Sequence, residues 1–379
     1  MLSEVCVIGG GLIGLATARE LALRGASVRV FDARAPARAA SWAGAGMLAP
    51  YSEASSDEAL LDLCIRSLEQ YPAFVAALRE ATGFDPQFRR DGTIEVAENA
   101  EHGARLREHV HDLRLRGVEA AFKEEREIRD LEPALLHAPF GGSFIADEAQ
   151  VDNRRLGRAL LAACAKLGVR VEGDAGEVAI EADERRVRGL RTARGFVPAP
   201  IVINACGAWA DRLAGVPAAL RVPIVPIKGQ MLALQMSEPL IRRLLWLPFP
   251  YLVPRSDGRL LIGATVERQG FDARVSAGGI ADLLGRALRA LPALAPLPIV
   301  ETWAGLRPGT SDGRPLLGPT ALEGYYIAGG HYRNGILLTP ISAQIVADLI
   351  EGKTPSVDCA PFSPARFPTG RAPAAAKSA

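Results

Sequence analysis

Four glycines in the run Gly9-Gly10-Gly11-Leu12-Ile13-Gly14 sit between an apolar stretch, Val5-Cys6-Val7-Ile8, and a helical stretch that reaches Leu23. That spacing does phosphate chemistry. Gly9 permits a tight turn, Gly11 removes the side chain that would block a pyrophosphate, and Gly14 lets helix and strand pack closely, while the helix N–H groups face the phosphates. A second apolar run, Val28-Arg29-Val30-Phe31, ends in Asp32, an acid 18 positions beyond Gly14. Its carboxylate is placed to accept hydrogen bonds from ribose hydroxyls and would repel a 2′-phosphate, which argues against NADP. The fingerprint alone leaves FAD and NAD both open.

The elements that must hold this fingerprint form a βαβ unit over residues 5–32, with Gly25 closing the helix. A second return of the same kind runs from Asp152, an N-cap, through Leu156, Leu160, Leu161 and Leu167 to Gly168 and Val169-Arg170-Val171. Val187 to Thr192 and Phe196-Val197 read as a hairpin around Gly195, followed by the strand Ile201-Val202-Ile203 and Asn204-Ala205-Cys206-Gly207. Near the C-terminus, Tyr325-Tyr326-Ile327-Ala328 leads through Gly329-Gly330 into a helical pattern from Gly335 to about Ile350.

Between these pieces the texture changes. Thr93-Ile94-Glu95-Val96, Met231-Leu232-Ala233-Leu234, Tyr251-Leu252-Val253 and Leu260-Leu261-Ile262 are short strand-like runs, the last two joined as a hairpin across Asp257-Gly258. The fold class expected is therefore α/β plus α+β. A Rossmann-type dinucleotide-binding domain takes residues 1–85, 145–220 and 305–355, and a mainly antiparallel-sheet substrate domain takes 86–144 and 221–304. Both are discontinuous in sequence, with the site where they meet. Residues 361–379, rich in Ala and Pro, read as a mobile tail.

Bulk composition bounds the partners. With 44 basic and 43 acidic residues the formal net charge is +1, which supplies no field for a polyanion, so nucleic acid is not expected. The cysteines Cys6, Cys64, Cys164, Cys206 and Cys359 show no zinc-like or disulfide-framework spacing. No metal site is expected. The strand-like run at Val5 leaves no room for a signal peptide and no apolar stretch is long enough to span a bilayer, so a cytoplasmic location is expected. His109 and His111 fall in a helical stretch where positions two apart diverge, which disfavours a metal pair. There is no G-x-S-x-G hydrolase elbow.

Seven motifs together resemble the D-amino-acid oxidase superfamily of flavoproteins, in its glycine oxidase branch, over roughly residues 4–352. They are Val7 to Gly14, Ser41 to Leu48, Asn204 to Trp209, Pro226 to Gln230, Tyr251 to Arg255, Trp303 to Thr310 and Gly330 to Leu338. The resemblance implies FAD in an extended pose, an antiparallel sheet over the flavin face, and oxidation of a small amine or amino acid with oxygen as acceptor. The expected products are an imine and then glyoxylate, ammonia and hydrogen peroxide, in service of thiamine thiazole synthesis. By the same resemblance Met47 lies beside the isoalloxazine, and Gly335, Ile336 and Leu337 offer N–H groups to the flavin pyrimidine carbonyl. Val178 meets the adenine through backbone atoms, and Ser41, Gly46 and Gly207 join Gly9, Gly11, Gly14 and Asp32 as cofactor-binding positions. Flavin-tethering relatives carry a cysteine where this chain has Gly305, so FAD is expected to be non-covalent. Side chains at Phe249 and Val266 are expected to set the room around the substrate α-carbon.

A flavin that takes a hydride from the carbon bearing a neutral amine needs the protein to orient that carbon more than to supply a strong base. A substrate carboxylate losing its hydration is met by a bidentate arginine, and Arg307, in the apolar context Trp303 to Pro308, is the candidate. Tyr251 is expected to bond the carboxylate, and Arg333 to stand near it as a further cationic partner. His331, inside the glycine loop, reads as a packing residue. The alternative reading is a flavin dehydrogenase of a D-amino acid or secondary amine that passes electrons to a quinone or carrier. A nicotinamide-dependent dehydrogenase would lack a use for the C-terminal glycine turn, and a non-catalytic subunit would have no need of Arg307 and Tyr251. Self-association is left open.

Overall fold

The strand Glu4–Ile8 is paired in parallel on both sides, with Ser27–Phe31 and with Ile201–Asn204, in a computed structural model that describes residues 4–53, 57–135 and 138–367. Arg170–Glu172 extends this sheet on one side, and Tyr325–Gly329 and the antiparallel Leu316–Pro319 on the other, giving six strands. The Ala- and Leu-rich helix Leu12–Leu23 has good intrinsic propensity. It is buried between the helices Asn153–Lys166 and Thr339–Ile350. Asp152 caps the helix Asn153–Lys166 by accepting from the N–H groups of Arg154 and Arg155. A three-stranded antiparallel sheet, Ala179–Ala182, Val187–Thr192 and Gly195–Pro198, flanks this unit.

The second sheet has eight strands in the order Ile299–Gly309, Val225–Gln235, Arg259–Gly263, Tyr251–Pro254, Leu244–Trp246, Thr93–Val96, Gly142–Ile145 and Ala120–Lys123. Every pairing in it is antiparallel except that of Leu244–Trp246 with Thr93–Val96. One face packs on the helix Ala277–Ala290, and the buried residues Ile94, Leu232, Leu245, Leu252, Ile262 and Leu283 share that core. A short bridge of Met47–Leu48 with Ala149–Gln150 joins the loop after the first βαβ unit to the entry of the helix at Asn153.

Three expectations need correction. The division at 304/305 falls inside the strand Ile299–Gly309, which pairs with Val225–Gln235 as far as Val225↔Gly309, so Arg307 belongs to the eight-stranded sheet. The last helix begins at Thr339, not Gly335, because Pro340 occupies its first turn and residues 335–338 form a turn ahead of it. The segment expected as a tail from 361 starts with two short 3-10 turns, Ala360–Phe362 and Pro364–Arg366. There Phe362 is buried and Arg366 pairs with Asp312 at 2.7 Å. The remainder of that segment lies outside the described residues. Among the described residues no helix is long and apolar enough to cross a membrane, and no cluster of His, Cys, Asp and Glu is arranged to hold a metal. His109 and His111 sit on the helix Ala100–Leu115.

Candidate active site and cofactor cleft

The carboxyl ends of Glu4–Ile8, Ser27–Phe31, Ile201–Asn204 and Tyr325–Gly329 open into one cavity of about 670 Å³. In open parallel sheets ligands bind in this place. The cavity runs from Val178, Asp32 and Gly207 past Gly9, Gly11 and Ser41 to Gly46, Met47, Tyr251, Arg307, Arg333, Gly335 and Ile336. Of the expected site residues, Gly14 and Leu337 stand behind its wall rather than in it.

The fingerprint end depends on its glycines for room. Gly9 has φ +108°, and a Cβ there would collide with the Ala205 carbonyl; one on Gly14 would collide with the Gly9 carbonyl. Gly11 caps the helix Leu12–Leu23 with no side-chain bond, and the first turn carries no acid. Ser41 Oγ accepts the Leu12 N–H at 2.9 Å, leaving the N–H group of Ile13, which lines the cavity and precedes the first intrahelical bond, for an anion. Asp32 accepts from the N–H of Gly10 at 2.7 Å and of Arg34 at 2.9 Å, which fixes its carboxylate while leaving lone pairs for two hydroxyls.

A strap of residues 40–53 crosses the middle of the cleft, and buried polar groups hold it from three sides. Arg255, at the end of the strand Tyr251–Pro254, is almost fully buried and donates to Val151 O at 2.9 Å, Ala45 O at 2.7 Å and Asn153 Oδ1 at 2.9 Å. Burial pulls its pKa down to about 10, so it stays charged at neutral pH. Asn153 in turn donates to the carbonyls of Ser41 and Trp42. From the edge strand, Trp303 Nε1 donates to Ala43 O at 2.9 Å, and Arg154 lies 3.7 Å over the Trp42 ring while pairing with Glu301. Gly46 has φ +71°, and a Cβ there would collide with Val151 O. A side chain at Gly305 would strike the Ala43 Cβ, so this backbone has no room for a tethering cysteine.

The turn at residues 335–337 is fixed from behind. The Tyr71 hydroxyl donates to Ile336 O and the Ser67 hydroxyl to Leu337 O at 2.6 Å, both from the long helix Glu58–Thr82. A trans peptide points its C=O and N–H in opposite directions, so holding the Ile336 carbonyl aims the Leu337 N–H away from that helix. The bonds of the turn use the N–H groups of Asn334, Leu338 and Thr339, leaving those of Gly335, Ile336 and Leu337 out of its ladder. His331 meets Ser342 Oγ at 2.9 Å, and burial pulls its pKa down to about 3. It is neutral, as a packing residue should be.

At the far end stand Tyr251, Arg307 and Arg333. Tyr251 is buried beside Trp246, ring centroids 5.4 Å apart, with Met231 Sδ near its hydroxyl. Burial raises its pKa, and Arg307 and Arg333 pull it back. Arg307 donates to Thr265 O at 3.1 Å and Lys228 O at 3.4 Å and has no carboxylate within 4.0 Å among the described residues. Its guanidinium lies on the backbone of Gly229, where any Cβ would collide with it. Arg333 is different. It pairs with Glu53 through Nη2 at 3.0 Å and Nε at 3.3 Å, and that pair holds its charge firmly on. Phe249 and Val266 do not line the cavity, and Val266 is 55% exposed.

Four residues that shape the site went unassigned in the sequence. Arg255 and Gly229 lie inside motifs that carried the family resemblance, which was the available signal. Glu53 and Asn153 had none, since their partners Arg333 and Ser41 are distant in sequence.

A family of FAD-dependent oxidoreductases, DAO, matches residues 4–349 of the chain. The chain is 38% identical to the glycine oxidase of Geobacillus kaustophilus, covering 95% of this chain and 96% of that one. With the glycine oxidase of Pseudomonas aeruginosa it shares 35% over 96% and 99%. It is 39% identical to the bifunctional protein ThiO/ThiG of Synechocystis, covering 97% of this chain but 54% of the relative, so it spans about half of that protein's length. The crystal structure of the Geobacillus glycine oxidase superposes with a TM-score of 0.92 at 37% identity, over 96% of this chain and 99% of the other.

Proposed function

The chain belongs to the DAO family of FAD-dependent oxidoreductases, and from that premise we propose that it is an amino-acid oxidase acting on glycine or a similarly small amine. The observation that carries this reading is Arg307, a half-buried guanidinium without a carboxylate partner among the described residues, facing the same cavity as the Tyr251 hydroxyl and Met47. A half-buried cation without a counter-ion is costly, and a substrate carboxylate is the group that offsets it. The six-stranded unit then holds FAD and the eight-stranded sheet presents the substrate.

FAD supplies a hydride acceptor when bound. The chain's residues would do the positioning: Arg307 would grip the carboxylate and Tyr251 donate to it, in the same cavity that Met47 and the strap line and where the flavin would be held. The amine must reach this point neutral, since its lone pair drives the C–H cleavage. Glycine, oxygen and water thus give glyoxylate, ammonia and hydrogen peroxide, with the imine released and hydrolysed. Asp32, Gly9, Gly11, Gly14 and Ser41 serve the ribose and pyrophosphate, Val178 and Gly207 the adenine end, and Gly46, Met47, Gly335, Ile336 and Leu337 the flavin. Likeness to ThiO/ThiG supports supply of thiamine thiazole synthesis as the physiological role. The free cysteines support a cytoplasmic location.

Anaerobic mixing of the yellow holoenzyme with glycine, sarcosine, D-alanine and D-proline tests the reading. Bleaching by glycine, with recolouring and peroxide on admitting air, is expected; bleaching without recolouring would assign a dehydrogenase, and no bleaching by any of the four would remove the amine-oxidation reading.

A further inference from the structure

Three ionised side chains surround the substrate end of the cavity, and their charges do not add to what two arginines suggest. Arg307 has carbonyl oxygens and the Tyr251 hydroxyl near its guanidinium but no carboxylate among the described residues, whereas Arg333 is engaged by Glu53 at 3.0 Å. Both arginines act on Tyr251, and Arg333 lies 5.4 Å over the ring of Trp246, which itself packs on Tyr251. Glu53 has a side chain only 6% exposed and ends the short turn Pro50–Glu53, so it cannot swing out to water without moving the strap. That turn is itself anchored, because Glu148 accepts the N–H groups of Tyr51 and Ser52 and the Ser52 hydroxyl. The pair therefore contributes no net charge, and among the described residues that line this end of the cavity Arg307 leaves one positive charge.

We propose that Glu53 is a specificity-determining residue: by neutralising Arg333 it restricts the site to amines bearing a single carboxylate. A monocarboxylate with a neutral amine matches the net charge of +1. A second anionic group on the substrate would approach Arg333 and meet Glu53 as well, and like-charge contact in a desolvated site is strongly unfavourable. Arg333 is thus a cation whose charge the protein already balances, so that a second anionic group reaching its remaining N–H donors does so in the company of Glu53. This rests on the reading of the cavity as an amine-oxidation site, but the test below measures ligand binding and does not need turnover.

The experiment titrates E53Q and wild-type holoenzymes with acetate and with malonate near pH 8, following the flavin absorbance change. Wild type should prefer acetate. In E53Q the malonate-to-acetate affinity ratio should rise by about tenfold or more, the scale of one hydrogen bond to a charged group, and E53Q/R333Q should lose that gain. An unchanged ratio in E53Q, or a gain that persists without Arg333, would overturn the proposal. Should E53Q fail to hold FAD, R333Q and the double variant decide: R333Q leaves Glu53 unpaired and cancels the site's net charge, so acetate should bind the double variant more tightly than R333Q. Equal or weaker binding by the double variant would overturn it. Failure of wild type to oxidise glycine would instead count against the function proposed above.

Discussion

A guanidinium held by neutral oxygens and no carboxylate keeps its aim through packing, and for Arg307 that packing depends on the missing side chain of Gly229. Because the edge strand Ile299–Gly309 pairs with Val225–Gln235 at Ile227↔Arg307, the side chain must cross the neighbouring backbone to reach the cavity, and only a glycine clears the way. Gly229→Ala should therefore push the guanidinium off its two carbonyls without touching the fingerprint end. The expected result is a rise in the KM for glycine of about tenfold, the worth of one charged hydrogen bond, with FAD content and absorbance unchanged. Steady-state kinetics with a flavin assay checks it; loss of FAD in this variant would mean that the edge strand had moved as a whole.

Among the elements, the strap 40–53 is held by buried polar groups along its length, and its far end brings a titration with it. Glu148 sits beneath the turn Pro50–Glu53, fully enclosed, with hydroxyl and N–H donors but no cation, and burial pushes its pKa up to about 7 against an ordinary 4.5. A carboxyl whose folded pKa is raised favours the protonated native state, so its contribution to stability is complete below pH 4.5 and is lost as the pH climbs to about 7. Glu148→Gln should flatten that part of the stability profile, which urea melts at pH 5, 6 and 7 would read; an unaltered slope would locate the titration elsewhere. The same strap shows where sequence reading stops. The turn at Gly9 and the acid at Asp32 were legible because the chemistry lies within one βαβ unit, with Gly10 and Asp32 bonded directly. Arg255, by contrast, reaches Ala45 across more than two hundred residues, and Glu53 reaches Arg333 across more still. Neither pairing leaves a periodicity or a spacing to read. The start of the last helix was misread for a local reason: the apolar pattern continues through residues 335–338, while Pro340 sets the first turn later.

At the scale of the whole molecule the cofactor cleft lies between two sheets that each draw on distant parts of the chain. Alternation of texture along the sequence made two discontinuous units legible, but strand partners decide where one ends, and the full-length pairing of Ile299–Gly309 with Val225–Gln235 carries the second sheet past the expected boundary. Both units wall the 670 Å³ cavity, and its lining changes from the fingerprint and Asp32 at one end to Tyr251 and Arg307 at the other. A ligand spanning that length touches both sheets and binds the folded chain only, so it stabilises by mass action, by about 2.7 kcal/mol at a hundredfold excess over Kd. FAD added to apoprotein should raise Tm by on the order of 5 °C, increasing with the logarithm of its concentration, in a single transition for both sheets. FMN, which lacks the adenylate half that Asp32 and Val178 are placed to meet, should shift Tm far less. Thermal melts with either flavin separate the cases: an equal shift from FMN would mean that the fingerprint end contributes nothing to holding the cofactor, and two separate transitions would mean that the strap and its buried arginine do not couple the sheets.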